Sequence, residues 1–322
     1  MKDTLLSFVI PCFRSEKTIE SVVAELSETL KTRSEFDAEI ILVNDGSPDE
    51  TADVLTKLAE RDPRIVFVDL ARNFGQHCAV MAGFHQVQGD IVICLDDDGQ
   101  TPAEECFKLI DKVSEGYDLV FAKYPKHKQS GFRNLGSKFN AWCNHYFFNQ
   151  PRNIQANSYY ACKRYVVDNA IAYPNPYPYV TGLLLQSVNP KRCANVEVNH
   201  RAREIGSSGY TLRKLIGLWT NGVTSFSIKP LRFANYIGWS SAFIGFVFAI
   251  VTVIRKIINP DIQAGWASII AVLLVLGGVI IMLIGMLGEY VGRMYLSINR
   301  SPQFVIRSIM RSNPEEKDQE GK

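Results

Sequence analysis

Three carboxylates in a row, Asp96, Asp97 and Asp98, directly follow the apolar run Ile91 to Leu95, and Gly99, Gln100, Thr101 and Pro102 come next. The run reads as a buried strand. Like charges this close repel, so their position calls for a physical reason. A divalent cation would supply one. Hard Mg2+ or Mn2+ prefers oxygen ligands, commonly one or two carboxylates together with substrate phosphates. In an extended segment Asp96 and Asp98 point the same way, while Asp97 points elsewhere. Asp96, Asp98 and the oxygen of Gln100 therefore form a candidate metal and diphosphate set. The plain alternative is a solvated acidic loop, and two aspartates one residue apart are a weak signal alone.

The elements that must hold this corner are legible around it. Apolar runs at 5–13, 38–45, 65–71, 91–96 and 118–124 read as strands, and 16–33, 49–61 and 75–88 as helices between them. Ser47 and Glu50 have capping-box spacing, as do Thr101 and Glu104, where Pro102 is expected at the first helical position. Strict strand–helix alternation implies an α/β fold with a mainly parallel sheet covered on both faces. Ligands bind such sheets beyond the carboxyl ends of the strands. Polar groups gather there: Pro11 and Phe13 after the first strand, Asn44 to Ser47 after the second, Arg72 to Gly75 after the third, and Asp96 to Gln100 after the fourth. Each alone is ordinary turn chemistry; four at successive strand ends suggest one crevice. No GxxxxGK[ST] and no GxGxxG follows the first strand, which disfavours kinase-like and dinucleotide readings.

Charge and cysteine usage narrow the class. Lys+Arg 35 against Asp+Glu 33 gives a net charge of +2, which offers no support for bulk nucleic-acid binding. The seven cysteines are scattered and form no CxxC pair, so they read as small core residues in a reducing compartment. The five histidines show no metal-ligand spacing. The first residues lack the long apolar region and cleavage site of a signal peptide, so the N-terminal part is expected in the cytoplasm.

Residues 236–254 and 266–287 carry no charge. About 20 apolar helical residues cross a ~30 Å hydrocarbon core, and a short connector with Pro260 makes the two a hairpin. Lys229 and Arg232 lie before it and Arg293, Arg300, Arg307 and Arg311 after it, while Arg255 and Lys256 stand in the connector. The positive-inside rule then puts both termini in the cytoplasm. Leu212, Leu215, Ile216 and Trp219 recur at helical spacing beside Arg213 and Lys214, which suits a helix in the membrane interface. The expected organisation is a cytoplasmic α/β domain at 1–209, a juxtamembrane region at 210–232, and a two-helix transmembrane hairpin at 233–290. A basic segment with a polar tail follows at 291–322.

The ordered set VIPCF, ILVNDGSPDET, LARNFGQHCAVMAGF, GDIVICLDDDGQTPAE and HRAREIGSSGYTLRKL, followed by two apolar helices, resembles a bacterial polyisoprenyl-phosphate glycosyltransferase. These enzymes belong to glycosyltransferase family 2, with a Rossmann-like GT-A fold, and are relatives of dolichol-phosphate mannose synthase. The resemblance covers residues 5 to about 300. It implies a nucleotide-diphosphate sugar donor (a UDP-sugar foremost), Mg2+ or Mn2+, and an undecaprenyl-phosphate-like acceptor. It implies a site at the cytoplasmic face of the bacterial inner membrane. It also implies a homo-oligomer, with a tetramer as the expectation, because relatives assemble through their membrane helices.

Residue by residue, Pro11, Phe13 and Asp45 match positions that hold the nucleotide base, and Asp96, Asp98 and Gln100 match the D-x-D-x-Q metal and diphosphate motif. Asp97, grouped with the nucleotide site, stands where the family usually has a small residue, and Gly99 where it usually has Leu. The family's P-x-Y-N-E start reads Pro11-Cys12-Phe13-Arg14-Ser15, with an acidic residue only at Glu16. Arg133 and Ser137 resemble a pair that binds the acceptor phosphate, with Lys123 near a further basic position, and Arg203 resembles a residue that contacts the donor phosphates. The resemblance thus makes Asp98, Arg133, Ser137 and Arg203 the catalytic group.

The implied reaction is direct, inverting transfer of a sugar to a lipid phosphate oxygen. Two rivals stand beside it. A processive polysaccharide synthase of the same fold would usually carry a QxxRW motif and more membrane helices, neither of which occurs here. A non-catalytic, membrane-anchored nucleotide-sugar-binding protein would have little need of intact D-x-D-x-Q spacing.

Overall fold

The computed structural model describes residues 4–124, 151, 153–201, 229–258, 265–299 and 301–311. They fall into two compact units: the segments flanking the long helices form one, and the helices form the other.

The first unit is an eight-stranded sheet in the order β7-β5-β6-β4-β1-β2-β3-β8. Its strands are β1 (Thr4–Cys12), β2 (Phe36–Asn44), β3 (Ile65–Leu70), β4 (Ile91–Cys94), β5 (Leu119–Lys123), β6 (Tyr160–Lys163), β7 (Cys193–Glu197) and β8 (Ile306–Arg311). The centre, β4-β1-β2-β3, is parallel, as the alternation of elements predicts. Two strands run against it: β6 pairs antiparallel with β4 and β5, and β8 pairs antiparallel with β3.

Helices cover both faces. They are α1 (Ile19–Lys31), α2 (Thr51–Arg61), α3 (Gln76–Phe84), α4 (Cys106–Ser114), α5 (Arg164–Ile171) and α6 (Val180–Gln186). Alternation along the strands divides the core. Leu6, Phe8, Ile10, Ile40 and Leu42 pack with Val22, Val23, Leu26, Leu55 and Leu109 of α1, α2 and α4. Val9, Ile41 and Val43 face α3 on the other side. Along α1 the buried residues Ile19, Val22, Val23, Leu26 and Leu30 keep helical spacing and form one stripe. Each buried aliphatic side chain of this kind contributes about 1.5–3 kcal/mol. Helix α3 is buried on nearly every side, from Cys78 to Phe84, because it also touches α5 and α6.

Gly83 lets α3 lie close to the sheet. A Cβ there would stand 2.5 Å from Val9 Cγ1 and 3.1 Å from Val43 Cγ2.

Several local expectations change. The Ser47–Glu50 capping box does not form: Ser47 Oγ accepts from the Arg14 amide, and α2 starts at Thr51. The Glu50 amide instead donates to Glu16 across a sequence gap, which gives the displaced acidic residue a place. The Thr101–Glu104 box does not form either. Pro102 is the cap of a short 3-10 turn rather than its first residue, and Glu25 accepts from the Ala103 amide. In both places a distant side chain outcompetes the local partner.

The basic segment after the helices supplies β8, which the sequence reading did not assign. β8 covers the edge of β3, where unpaired backbone groups would otherwise be open. Arg307 Nε donates to buried Asp69 at 2.6 Å, and Asn44 Nδ2 donates to the other Asp69 oxygen at 2.8 Å. Arg307, counted above as a flanking charge of the hairpin, is thus a sheet residue.

The second unit holds α7 (Lys229–Ile258) and α8 (Trp266–Ile298). At 1.5 Å per residue, 30 and 33 residues span about 45 and 50 Å. Leu231–Thr252 and Val275–Ile298 are apolar enough to cross a membrane, the second displaced toward the C-terminus from 266–287. Their large side chains are open, with Trp239, Phe243 and Ile281 among the most exposed. The proposed interfacial helix at 210–226 lies outside the described residues.

Two variants check this packing by the midpoint of thermal unfolding in detergent. Gly83→Val should destabilise by about 1–3 kcal/mol, because the valines beneath α3 must give way. Arg307→Met should cost about 1–3 kcal/mol by leaving a buried carboxylate short of a donor, whereas Arg311→Met, further along β8, should change the midpoint far less.

Candidate functional site

The carboxyl ends of β1, β2 and β4 meet on one edge of the sheet. Beyond β4, Asp96 and Asp98 line one small cavity together with Val22, Leu95, Gly99 and Thr101. Asp96 and Asp98 thus share a cavity, but through a turn at Asp97 and Asp98 rather than the extended segment expected from the sequence, since β4 ends at Cys94. Asp96 accepts from Gln76 Nε2 at 3.0 Å and from Ser158 Oγ at 2.6 Å. Asp98 accepts from the Gln100 amide at 3.1 Å, closing a tight turn. Gly99 in that turn has φ 66°, a left-handed conformation that a leucine disfavours, which accounts for glycine at this position.

The Gln100 carbonyl accepts from the Arg201 amide at 2.7 Å, so the chain beyond β7 returns past the acidic corner. Arg201 is fixed by Glu25 through bonds of 2.8 and 3.1 Å. Burial raises the Glu25 pKa, but the bonds from Arg201 and the Ala103 amide outweigh it and hold the group below the usual value. This network brings the segment that leads to Arg203 alongside the corner. Arg203 itself lies outside the described residues, as do Arg133 and Ser137.

Asp97 turns the other way. Its Oδ2 accepts from the Phe13 amide at 3.1 Å and from Ser15 Oγ in a short bond. Burial pushes its pKa up to about 6, against the pull of those donors and with a smaller push from Asp96. Asp97 therefore does not share the cavity of Asp96 and Asp98. Its carboxylate ties the end of β4 to the turn after β1.

Asp45, expected at the nucleotide base, is buried and takes three bonds from the turn after β3. These come from the Phe74 amide at 2.7 Å, the Gly75 amide at 2.9 Å and Asn73 Nδ2 at 3.0 Å. Burial raises its pKa, and the two amides oppose the rise. Gly46 completes the contact. It has φ 58°, and a Cβ there would come within 2.5 Å of the Asn73 nitrogen. Asp45 thus locks two strand-end turns together. Pro11 is a buried β1 residue opposite Val43, and Phe13 lies at the surface, 43% exposed, with the Arg14 guanidinium 5.5 Å from its ring centre. Lys123, at the end of β5, forms an exposed 2.7 Å ion pair with Glu197. Such a pair is worth little and leaves the lysine able to change partners.

Sequence reasoning missed Gln76, Ser158, Ser15, Glu25 and Arg201. Gln76 carried a signal, since it follows Gly75 at a strand-end turn. Ser158 carried none, because it precedes a four-residue strand without clear periodicity. His77 packs edge-on against Tyr179, and burial lowers its pKa to about 4. His85 packs against Phe304. Both serve packing.

With this geometry in view, the chain matches the family description "Glycosyl transferase family 2" over residues 7–167 and "GtrB C-terminal hairpin" over 229–294. It is 34% identical to the undecaprenyl-phosphate 4-deoxy-4-formamido-L-arabinose transferase of Pseudomonas fluorescens over 96% of this chain and 91% of that protein. The protein of the same name from Serratia proteamaculans is 32% identical over 98% and 97%. Among solved structures, glucosyl-3-phosphoglycerate synthase from Mycobacterium tuberculosis, in complex with Mn2+, UDP-glucose and phosphoglyceric acid, has a TM-score of 0.54. It is 20% identical, covering 69% of this chain and 78% of that one, so the likeness is one of fold. The sheet, the acidic strand end and the paired apolar helices have their common explanation here: the chain belongs to glycosyltransferase family 2, in its polyprenyl-phosphate glycosyltransferase branch.

Proposed function

We propose that this glycosyltransferase moves a sugar from a nucleotide-diphosphate donor, a UDP-sugar foremost, to undecaprenyl phosphate with inversion, at the cytoplasmic face of the inner membrane. The observation that carries the reading is the paired placement of Asp96 and Asp98 on one cavity at the end of β4. Two converging carboxylates fit a hard divalent cation that also binds a diphosphate. When bound, Mg2+ or Mn2+ would neutralise charge on the departing diphosphate. Asp96 and Asp98 would hold it, with Gln100 beside them.

The rest of the chemistry belongs to the chain. A phosphate monoester is already ionised near neutral pH, with a second pKa near about 6. A hydroxyl acceptor would need a general base; this acceptor does not. The protein must instead align two anions. Arg133 and Ser137 would orient the attacking phosphate, with Lys123 as a further cation once it leaves Glu197. Arg203 would offset charge on the donor phosphates. Pro11, Phe13 and Asp45 would shape the base-binding wall.

Topology supports the membrane assignment. β8 follows the two long helices in sequence yet pairs in the same sheet as the strands before them. Both ends of a spanning hairpin then belong on one side, and an undecaprenyl phosphate head group would meet the site there. Assembly into a homotetramer remains part of this proposal.

Two experiments test it. Asp98→Asn should lower transfer to lipid by about 100-fold or more while circular dichroism and membrane insertion stay as in the parent; near-parental turnover would remove Asp98 from the mechanism. A panel of nucleotide sugars should be offered with undecaprenyl phosphate after chelation and after restoring Mg2+ or Mn2+. It should include UDP-4-deoxy-4-formamido-L-arabinose, the sugar in the relatives' name. Metal-dependent label in the lipid fraction is the expected result. A water-soluble polymer would favour a processive synthase, and no transfer with any donor would favour a binding protein.

A further inference from the structure

The turn after β1 is held by three side chains from two segments far away in sequence. The amides of Phe13, Arg14 and Ser15 donate to Asp97, Ser47 and Thr51 at 3.1, 3.1 and 2.9 Å. Arg14 at the middle has φ 59° and is the one non-glycine residue with positive φ among the described residues. A long side chain in that region costs on the order of 1–2 kcal/mol, so the surroundings must maintain it. Of the three side chains that do so, Asp97 alone carries charge, and it also receives the Ser15 hydroxyl.

We propose that Asp97 is a positioning residue that holds the Phe13–Ser15 turn in its left-handed form and so couples the nucleotide wall to the acidic corner. The inference rests on the functional reading above, which puts the nucleotide beside Phe13. Ser15 and Asp97 meet in one side-chain contact between the turn after β1 and the turn after β4. Asp96 and Asp98 line the cavity while Asp97 in the turn between them bonds to the Phe13 amide.

The relation is reciprocal and can be reversed. Asp97→Ala should raise the dissociation constant for UDP and the donor KM by about 10-fold, the effect of losing one charge-assisted bond. Mn2+ affinity and kcat at saturating donor should change by less than about 2-fold. Amide exchange at residues 13–15, read on the full chain in detergent, should quicken. Ser15→Glu alone should also weaken UDP, since two carboxylates would then face each other. The double variant Ser15→Glu with Asp97→Ala should recover most of the lost affinity. Asp97→Asn, which keeps the shape and one acceptor oxygen, serves where the alanine variant unfolds, and should fall between the parent and Asp97→Ala.

Parental UDP affinity and unchanged exchange in Asp97→Ala would overturn the proposal alone, as would a double variant no better than the singles. If the parent protein itself bound no UDP, the donor reading would fall, while quickened exchange in Asp97→Ala would still report the turn-holding role.

Discussion

Three adjacent carboxylates follow a buried strand, and the turn that begins after Cys94 separates them. Beyond the end of β4 at Cys94, the turn at Asp97 and Asp98 leaves Asp96 and Asp98 on one cavity and sends Asp97 to the turn after β1. Each carboxylate then meets donors of its own: Gln76 and Ser158, the Gln100 amide, and the Phe13 amide with Ser15. Asp96 and Asp98 remain on the cavity. The rest of the site is arranged around that separation.

The turns that border the corner are held by side chains from elsewhere. Asp45 accepts three bonds from the turn after β3, and Glu16 receives the amide that opens α2. Arg201 reaches Glu25 and the Gln100 carbonyl. Each turn thus rests on a residue from another strand end or helix. A substrate site built from backbone turns needs such support, because short polar loops have little apolar burial of their own to fix them.

The edge of the sheet has a second consequence. β8 closes the β3 edge only after the chain has run through both long helices. The ion pair of Arg307 with Asp69, extended through Asn44 to the Ser47 amide, runs from that last strand toward the Asn44–Ser47 turn. The catalytic domain is therefore complete only when the segment beyond the hairpin is in place. The chain thus joins the sheet unit to the helical unit at both ends of the latter.

The sequence by itself determined the parallel centre of the sheet, the gathering of polar residues at its strand ends, and the two apolar helices. All of these follow from periodicity or alternation, which short-range patterns record. Tertiary structure alone decided the partner of Asp97, the caps of α2 and of the turn after Pro102, the antiparallel strands β6 and β8, and the sheet role of Arg307. Those depend on contacts between residues far apart in sequence, such as Glu16 with Glu50 and Val66 with Arg311. A local motif such as Ser47–Glu50 is a real preference, but a hydrogen bond offered by a distant residue satisfies the same donor, and the packed fold selects between the two.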